Sequence, residues 1–136
     1  MTSVERHKDR LRHAASLFGP ERLDEYLELY AEDARLHFLP PGLPPGRAGL
    51  RLFYQAMFAA FGGVKLAILD ALGEGDRVAV RFSIECTHRG EFLGAPPTGK
   101  RITFEGVTIF RFEGDQCVER WSQTNLMAVL QQASVA

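Results

Sequence analysis

The sequence has 136 residues, which fits one domain and is short for two, so we predict a single domain spanning residues 1–136. Sixteen basic and 17 acidic residues give a formal charge of −1, which lacks the basic character typical of nucleic-acid-binding domains. No apolar run approaches the roughly 20 residues of a membrane span, and no N-terminal signal peptide is evident. We therefore expect a cytoplasmic protein that binds neither nucleic acid nor membrane.

The first part of the chain has the pattern of helices. Residues 4–18 favour one helix, and Gly19-Pro20 ends it and starts the next. An apolar stripe spaced i, i+3, i+4, i+7 predicts this second helix, and it consists of Leu23, Tyr26, Leu27 and Tyr30. Arg35–Leu39 alternates weakly and predicts a short strand.

A proline-rich segment separates this strand from a third helix. Pro40–Gly46 contains too many prolines for a helix or a central strand, so it predicts a stiff loop. The third helix is predicted at residues 47–61, and Gly62-Gly63 is expected to end it. Its apolar stripe consists of Leu50, Phe53, Tyr54, Met57 and Phe61.

The second half of the chain changes to a period of two, which is typical of strands. The strand after the Gly73–Asp76 turn carries its apolar residues on one face, namely Val78, Val80, Phe82, Ile84, Cys86 and His88. The other predicted strands are Val64–Leu72, Arg101–Phe112 and Cys117–Thr124, with a long connection at Gly90–Gly99, a tight turn at Glu113–Gln116 and a last short helix.

This order of elements predicts the α+β class, with a curved antiparallel sheet packed on three N-terminal helices. A long curved sheet over helices leaves a concave pocket, which is where small-molecule sites tend to form. Cys86 and Cys117 lie in apolar strand segments, so we expect two buried thiols rather than a disulfide framework.

Two histidines are candidates for chemistry. His88 ends the apolar face of its strand, where an imidazole can act in general acid–base catalysis, or can be a partly buried side chain bonded to backbone. His37 lies just before the proline-rich loop, where it could reach the mouth of a pocket or could be an ordinary edge-strand residue.

The last strand offers a second pair of candidates. Trp121 and Asn125 are four residues apart and share a face if the strand stays regular. Trp121 would give a flat apolar wall, or belong to the core, and Asn125 would offer hydrogen bonds without ionising. We expect Phe53 and Phe104 to complete the apolar wall and His37, His88, Trp121 and Asn125 to line one cavity. No motif predicts a metal, nucleotide or other cofactor site.

The segment Thr87–Lys100, which reads THRGEFLGAPPTGK, resembles the signature of the SnoaL-like polyketide cyclases. The Glu119-Arg120-Trp121 segment is similar to that family's Glu-x-Trp ending, and the resemblance extends over roughly residues 20–132. It implies the cone-shaped half-barrel of the nuclear transport factor 2-like superfamily, usually as a homodimer through the sheet. It also implies intramolecular aldol cyclisation of a carbonyl or ester substrate without metal or cofactor.

Two positions depart from that family pattern, namely Cys86, where the family often has glycine, and Asn125. The aspartate that serves as the main acid–base group, four residues after the tryptophan, corresponds to Asn125, and an amide cannot be a general base. It can still donate a hydrogen bond to an enolate oxygen.

Three hypotheses therefore stay open. In the first, the protein is a cyclase- or isomerase-type enzyme in which His88 is the acid–base group, Asn125 and Trp121 orient and polarise a small apolar carbonyl compound, and His37 assists. In the second, it is a binding protein of the same fold without turnover. In the third, it carries out hydrolysis or hydroxylation.

Overall fold

A computed structural model describes residues 1–135 and the side chains of residues 1–134, so that Ala136, the last residue of the predicted domain, lies outside the described residues. In this part of the chain four helices and five strands are present. In chain order they are α1 (Ser3–Ser16), α2 (Leu23–Leu27), β1 (Tyr30–Leu36), α3 (Gly46–Ala60), β2 (Phe61–Glu74), β3 (Arg77–His88), β4 (Arg101–Glu113), β5 (Gln116–Thr124) and α4 (Leu126–Val135).

The five strands form one curved, unclosed sheet in the order β1-β5-β4-β3-β2. Strands β2 to β5 form an antiparallel meander, as predicted, and β1 pairs in parallel with β5 at the edge. The predicted α+β class is confirmed, and the sheet is mixed at this one edge rather than wholly antiparallel.

The concave face of the sheet holds the core. On β3 every second residue from Val78 to His88 is buried, which confirms the face predicted from the sequence. Helices α1 and α3 contribute their buried stripes to the same core, and α4 closes one end with Leu126 and Leu130. Cys86 and Cys117 are free and buried, as predicted. Between residues 1 and 135 no helix is long and apolar enough to cross a lipid bilayer.

Several element boundaries differ from the prediction, and the short strand predicted at Arg35–Leu39 spans Tyr30–Leu36. Tyr30 continues the apolar stripe of the second helix in sequence, but α2 ends at Leu27 and Tyr30 begins β1. The parallel pairing of Tyr30 with Cys117 overrides the local helical pattern. Gly62 and Gly63 lie inside β2 instead of between a helix and a strand, and the register shifts just after Gly62, which marks a bulge.

A second irregularity lies in the hairpin between β4 and β5. At the turn, Glu113 pairs with Gln116 and Phe112 pairs with Cys117. The next pair is Arg111 with Glu119, so β5 contains one extra residue at this point. Such a bulge reverses which residues of the following strand face the core.

Candidate functional site

A cavity of about 430 Å³ lies between the concave face of the sheet and the helices. Its size is within the range of small-molecule sites, and most of its wall is apolar. Side chains from α1 and α3 form one side, strands β2 to β5 form the other, and α4 and the loops around residues 38–40 and 92–93 surround the remainder. The apolar wall includes Phe18, Phe38, Phe53, Met57, Leu66, Ile68, Val80, Phe82, Ile84, Phe92, Phe104, Phe110 and Leu126.

Phe53 and Phe104 are the two predicted site residues that lie in this wall. Phe53 packs edge to face against Tyr54 and Phe92 at ring-centroid distances of 5.6 and 6.0 Å. Phe104 is only 2% exposed. Their contact with a ligand stays a prediction.

The polar end of the cavity is built around Arg120, which is 7% exposed. Its Nη1 donates to the hydroxyl oxygens of Tyr30 and Tyr54, at 2.7 and 2.8 Å. Its Nε donates to the Ser122 hydroxyl at 3.2 Å. Strands β1 and β5 and helix α3 therefore meet at one guanidinium group.

Further hydroxyls extend this network. The hydroxyls of Tyr26 and Tyr30 are 2.8 Å apart, and those of Thr108 and Ser122 are 2.5 Å apart. Burial raises the pKa of Tyr26 and of Tyr30, so both phenols keep their protons at neutral pH. We call Tyr26, Tyr30, Tyr54 and Arg120 the tyrosine–arginine cluster.

Arg120 carries its positive charge without a carboxylate partner. Burial alone would lower the pKa of Arg120, but the hydroxyls of the three tyrosines raise it above its ordinary value. No carboxylate of residues 1–134 lies within 4 Å of its guanidinium group. The guanidinium lies over the Phe38 ring at 4.2 Å, a cation–π contact worth about 2 kcal/mol when desolvated. Since burying an ion costs several kcal/mol, this contact offsets only part of the penalty.

The tyrosine–arginine cluster has more donors than acceptors. A guanidinium has only donors, and each phenol brings one proton of its own. Nη2 of Arg120 makes no hydrogen bond to the described residues. The Tyr54 hydroxyl oxygen accepts from Arg120, and none of the described residues accepts the Tyr54 proton. The cluster can therefore take up an acceptor, such as a carbonyl, enolate or carboxylate oxygen.

The structure does not bring His37, His88, Trp121 and Asn125 together around the cavity, and the expectation that these four line one cavity is wrong for this conformation. His37 and Trp121 do meet, stacked at 5.2 Å between ring centroids, but on the outer face of the sheet. There His37 bonds to Glu119 at 2.7 Å. The same carboxylate accepts a hydrogen bond from Arg111 at 3.0 Å.

The bulge in β5 explains where Trp121 lies. If the register set at the turn continued without a shift, Trp121 would oppose Thr108, whose side chain lines the cavity. The extra residue pairs Trp121 with Ile109 instead, on the outer face, and places Arg120 opposite Phe110 on the inner face. Sequence reasoning assumed a regular strand and so selected the wrong face.

Asn125 lies just beyond β5 and is exposed. Its side-chain oxygen accepts from the backbone N–H of Glu105 at 2.8 Å, and its own N–H donates to the Glu105 carbonyl at 3.0 Å. Its carbonyl then accepts from Val129 in the first turn of α4, at 3.1 Å. Asn125 thus joins the end of β5 to β4 and to α4, and does not project into the cavity.

His88 is on the concave face but is fully buried outside the cavity wall. The Phe61 ring stacks on it at 5.1 Å and also contacts Phe92 and Phe104, which line the cavity. Its Nδ1 accepts from the backbone N–H of Thr98 at 3.3 Å, so the proton is placed on Nε2, which has no partner. This hydrogen bond to backbone corresponds to the second possibility given for His88 from the sequence, a buried side chain bonded to backbone.

Sequence reasoning missed the tyrosine–arginine cluster. In the sequence the three tyrosines fall on apolar stripes, and Arg120 occupies the variable position of the Glu-x-Trp segment. The described wall residues contain no Asp, Glu, His or Lys. Within the described part of the chain, no group of three or more His, Cys, Asp or Glu could hold a metal ion.

The sequence model of the SnoaL-like polyketide cyclase family matches residues 8–133. The chain belongs to this family. No curated protein matches the sequence. The resemblance expected from Thr87–Lys100 is thereby confirmed for nearly the whole chain.

Solved structures share the fold over the full domain. IdmH from Streptomyces antibioticus, a candidate polyketide cyclase, is 30% identical, with 93% of this chain and 97% of that one covered and a TM-score of 0.79. AclR from Streptomyces galilaeus, a candidate hydroxylase, is 24% identical over 99% of both chains, with a TM-score of 0.81. A candidate SnoaL-like polyketide cyclase from Jannaschia sp. CCS1 is 22% identical over 97% and 94%, with a TM-score of 0.81.

Proposed function

We propose that this protein is a cofactor-independent enzyme of the cyclase or isomerase type that acts on a small apolar carbonyl compound. The observation that carries the proposal is an apolar cavity of about 430 Å³ with one buried polar end that offers hydrogen-bond donors. Such an end suits an oxygen that becomes more negative during the reaction.

In the proposed reaction the carbonyl oxygen is held by Arg120 and by the Tyr54 hydroxyl. A base removes a proton from the adjacent carbon, the C–H electron pair moves toward the oxygen, and an enolate forms. Because the donors are fixed before the reaction, each can stabilise the enolate by about 3 kcal/mol relative to the neutral ketone. The enolate carbon then either attacks a second carbonyl group of the substrate, whose oxygen takes the proton held by the base, or takes that proton back itself.

The base in this proposal is His88, the role that the sequence suggested. In the described conformation its Nδ1 lone pair is used by Thr98, and Phe61 covers the ring. The role therefore requires Phe61 to rotate and the Thr98 hydrogen bond to break when substrate binds. Asn125, Trp121 and His37 have no part in the proposed reaction.

Solvent deuterium exchange tests the proposal. The protein is incubated in heavy water with β-dicarbonyl esters and aromatic polyketide-like compounds, and loss of the acidic C–H signal is followed by NMR. We expect exchange above background with the unmodified protein, at least tenfold less with Arg120→Met, and none with His88→Ala. Arg81→Met, which removes an exposed arginine of the outer face, should exchange normally.

A full rate in Arg120→Met, with the variant folded by near-ultraviolet circular dichroism, would contradict the role of the tyrosine–arginine cluster. A full rate in His88→Ala would assign the base elsewhere. No exchange from compounds that demonstrably bind would contradict the enzyme proposal as a whole.

A second candidate function is binding without turnover. The observation in its favour is that the described wall residues include no carboxylate and no imidazole, so that no base is in place without a conformational change. The same experiment separates the two, because a binding protein gives ligand line broadening without exchange.

We also propose that the protein is a homodimer through the outer face of the sheet. Val107 and Ile109 are 45% and 37% exposed there, next to Trp121, and form an apolar strip in the middle of the sheet. Light scattering should give the mass of a dimer, and Val107→Asp should give a monomer. Leu52→Asp, on α3 and also 45% exposed in the unmodified chain, is the matched control and should stay dimeric. A monomeric unmodified protein would refute this proposal.

A further inference from the structure

We infer that the polar end of this cavity binds the carboxylate of an apolar acid, in competition with the carbonyl oxygen of the proposed reaction. This rests on the proposed function only in taking the cavity as the ligand site. It adds a preference for negative charge that a neutral carbonyl compound does not satisfy.

The first step of the argument is the unbalanced charge. Arg120 is the only ionic side chain among the described residues of the wall, and its hydrogen-bond partners Tyr30, Tyr54 and Ser122 are all neutral. A buried guanidinium normally has a carboxylate or phosphate partner, because the loss of its hydration is otherwise uncompensated. An anion inside the cavity would supply that partner.

The second step is the position of the free donors. Nη1 and Nε of Arg120 are used within the protein, whereas Nη2 makes no hydrogen bond to the described residues. Nε2 of His88 is fully buried and has no hydrogen-bond partner. Nη2 of Arg120 is not among the described side-chain nitrogens that are buried in this way. It is therefore open to the cavity, which the Tyr54 side chain also lines.

The third step is the ligand chemistry. Two oxygens of one carboxylate can accept from Nη2 of Arg120 and from the Tyr54 hydroxyl at the same time, and charge-assisted hydrogen bonds are about twice as strong as neutral ones. An ester offers a single strong acceptor and no charge. A phosphate would bring a second charge that the described wall does not match with a second cation.

The remainder of the ligand must be apolar. Phe38 covers the guanidinium on one side, and Phe110 lies on another at 5.4 Å from Cζ. Beyond them the cavity is lined by aromatic and aliphatic side chains. The inferred ligand is thus an aromatic or long-chain carboxylic acid with its acid group at the β5 end.

Matched pairs of compounds test this inference by isothermal titration calorimetry at neutral pH. Cinnamate, naphthoate and decanoate are each compared with the corresponding primary amide, which keeps the shape and removes the charge. We expect the carboxylate of at least one pair to bind about 10- to 100-fold more tightly than its amide to the unmodified protein. Because this comparison needs no variant, misfolding cannot produce or hide the result.

Variants then assign the effect to the residue. Arg120→Met should abolish the preference for the carboxylate, Arg120→Lys should retain part of it, and Arg81→Met should retain all of it. Equal binding of acid and amide, or no binding by any pair, would overturn the inference, and so would a preference that persists in folded Arg120→Met.

The outcomes are independent of those of the exchange experiment, whose β-dicarbonyl esters are neutral. Exchange of the esters without a carboxylate preference would refute this inference and leave the proposed function standing. A carboxylate preference that depends on Arg120, together with esters that bind without exchange, would support this inference and refute the proposed turnover.

Discussion

The buried tyrosine–arginine cluster allows a prediction about stability that two single-atom changes can test. In Tyr54→Phe the oxygen that accepts from Nη1 of Arg120 at 2.8 Å is removed, while the ring can stay in place. In Tyr26→Phe the oxygen removed is bonded to the neutral Tyr30 hydroxyl, also at 2.8 Å. The two variants therefore differ in whether the lost partner is a cation or a phenol.

The magnitudes follow from that difference. A hydrogen bond to a charged group contributes about 1.5–3 kcal/mol, and one between neutral groups contributes about 0.5–1.5 kcal/mol. We expect Tyr54→Phe to lower the free energy of unfolding by an amount near the upper range, because Arg120 is only 7% exposed and water cannot easily replace the oxygen. For a domain of this length, such a loss corresponds to a decrease in Tm of roughly 5–12 °C.

Urea denaturation of both variants, followed by tryptophan fluorescence at neutral pH, measures the two losses. We expect similar m values, with the midpoint of Tyr54→Phe below that of Tyr26→Phe. If Tyr26→Phe is as destabilised as Tyr54→Phe, the charge of the guanidinium does not strengthen the hydrogen bond to Tyr54. If Tyr54→Phe is neutral or stabilising, the argument that a buried cation requires this oxygen is refuted.

Other features give further predictions. The hydrogen bond from its histidine partner lowers the pKa of Glu119, so the carboxylate stabilises the fold above its unfolded pKa of about 4.5 and this contribution is lost as the pH falls through the lower folded value. The free energy of unfolding of Glu119→Gln should therefore fall less steeply below about pH 4.5 than that of the unmodified protein. The same pH dependence in both proteins would disprove the assignment to Glu119. Gly106→Ala should destabilise the protein by about 1–3 kcal/mol, because its methyl group would lie 2.5 Å from a backbone oxygen of β5 and 2.8 Å from the Phe82 ring; a melting temperature equal to that of the unmodified protein would contradict the packing. Burial raises the pKa of Cys86 and of Cys117 to about 11, so neither thiol should react with Ellman's reagent until the protein is denatured, and rapid reaction of the native protein would show that one is accessible.

Elements whose residues alternate or repeat regularly could be predicted from the sequence. The strand β3 is the best case, because its apolar residues follow a strict period of two and its pairing with β2 and β4 is formed by neighbours in the chain. The start of β1 could not be predicted, because Tyr30 fits a helical stripe locally and becomes a strand residue through a parallel partner that lies 87 positions away at Cys117. Local patterns carry no information on such pairing.

Less of the candidate site than of the fold could be predicted from the sequence. Phe53 was predicted from the regular apolar stripe of the third helix, and both it and Phe104 lie in the wall. Trp121 was placed on the wrong face because the bulge depends on the pairing of two strands, which a single strand's pattern does not contain. Arg120 was overlooked because a charged residue is expected outside, and its burial depends on tyrosines from β1 and α3.

The one-residue bulge of β5 has a consequence for how this family can diversify. Since it decides whether Arg120 or Trp121 faces inward, a strand of the same length that paired without the bulge would present an indole where this chain presents a cation, without any substitution at either position. The presence or absence of the bulge therefore sets the charge of this part of the cavity wall. Relatives with the same Glu-x-Trp letters can consequently hold different ligands, and residue roles should be transferred between them by strand register and not by sequence position.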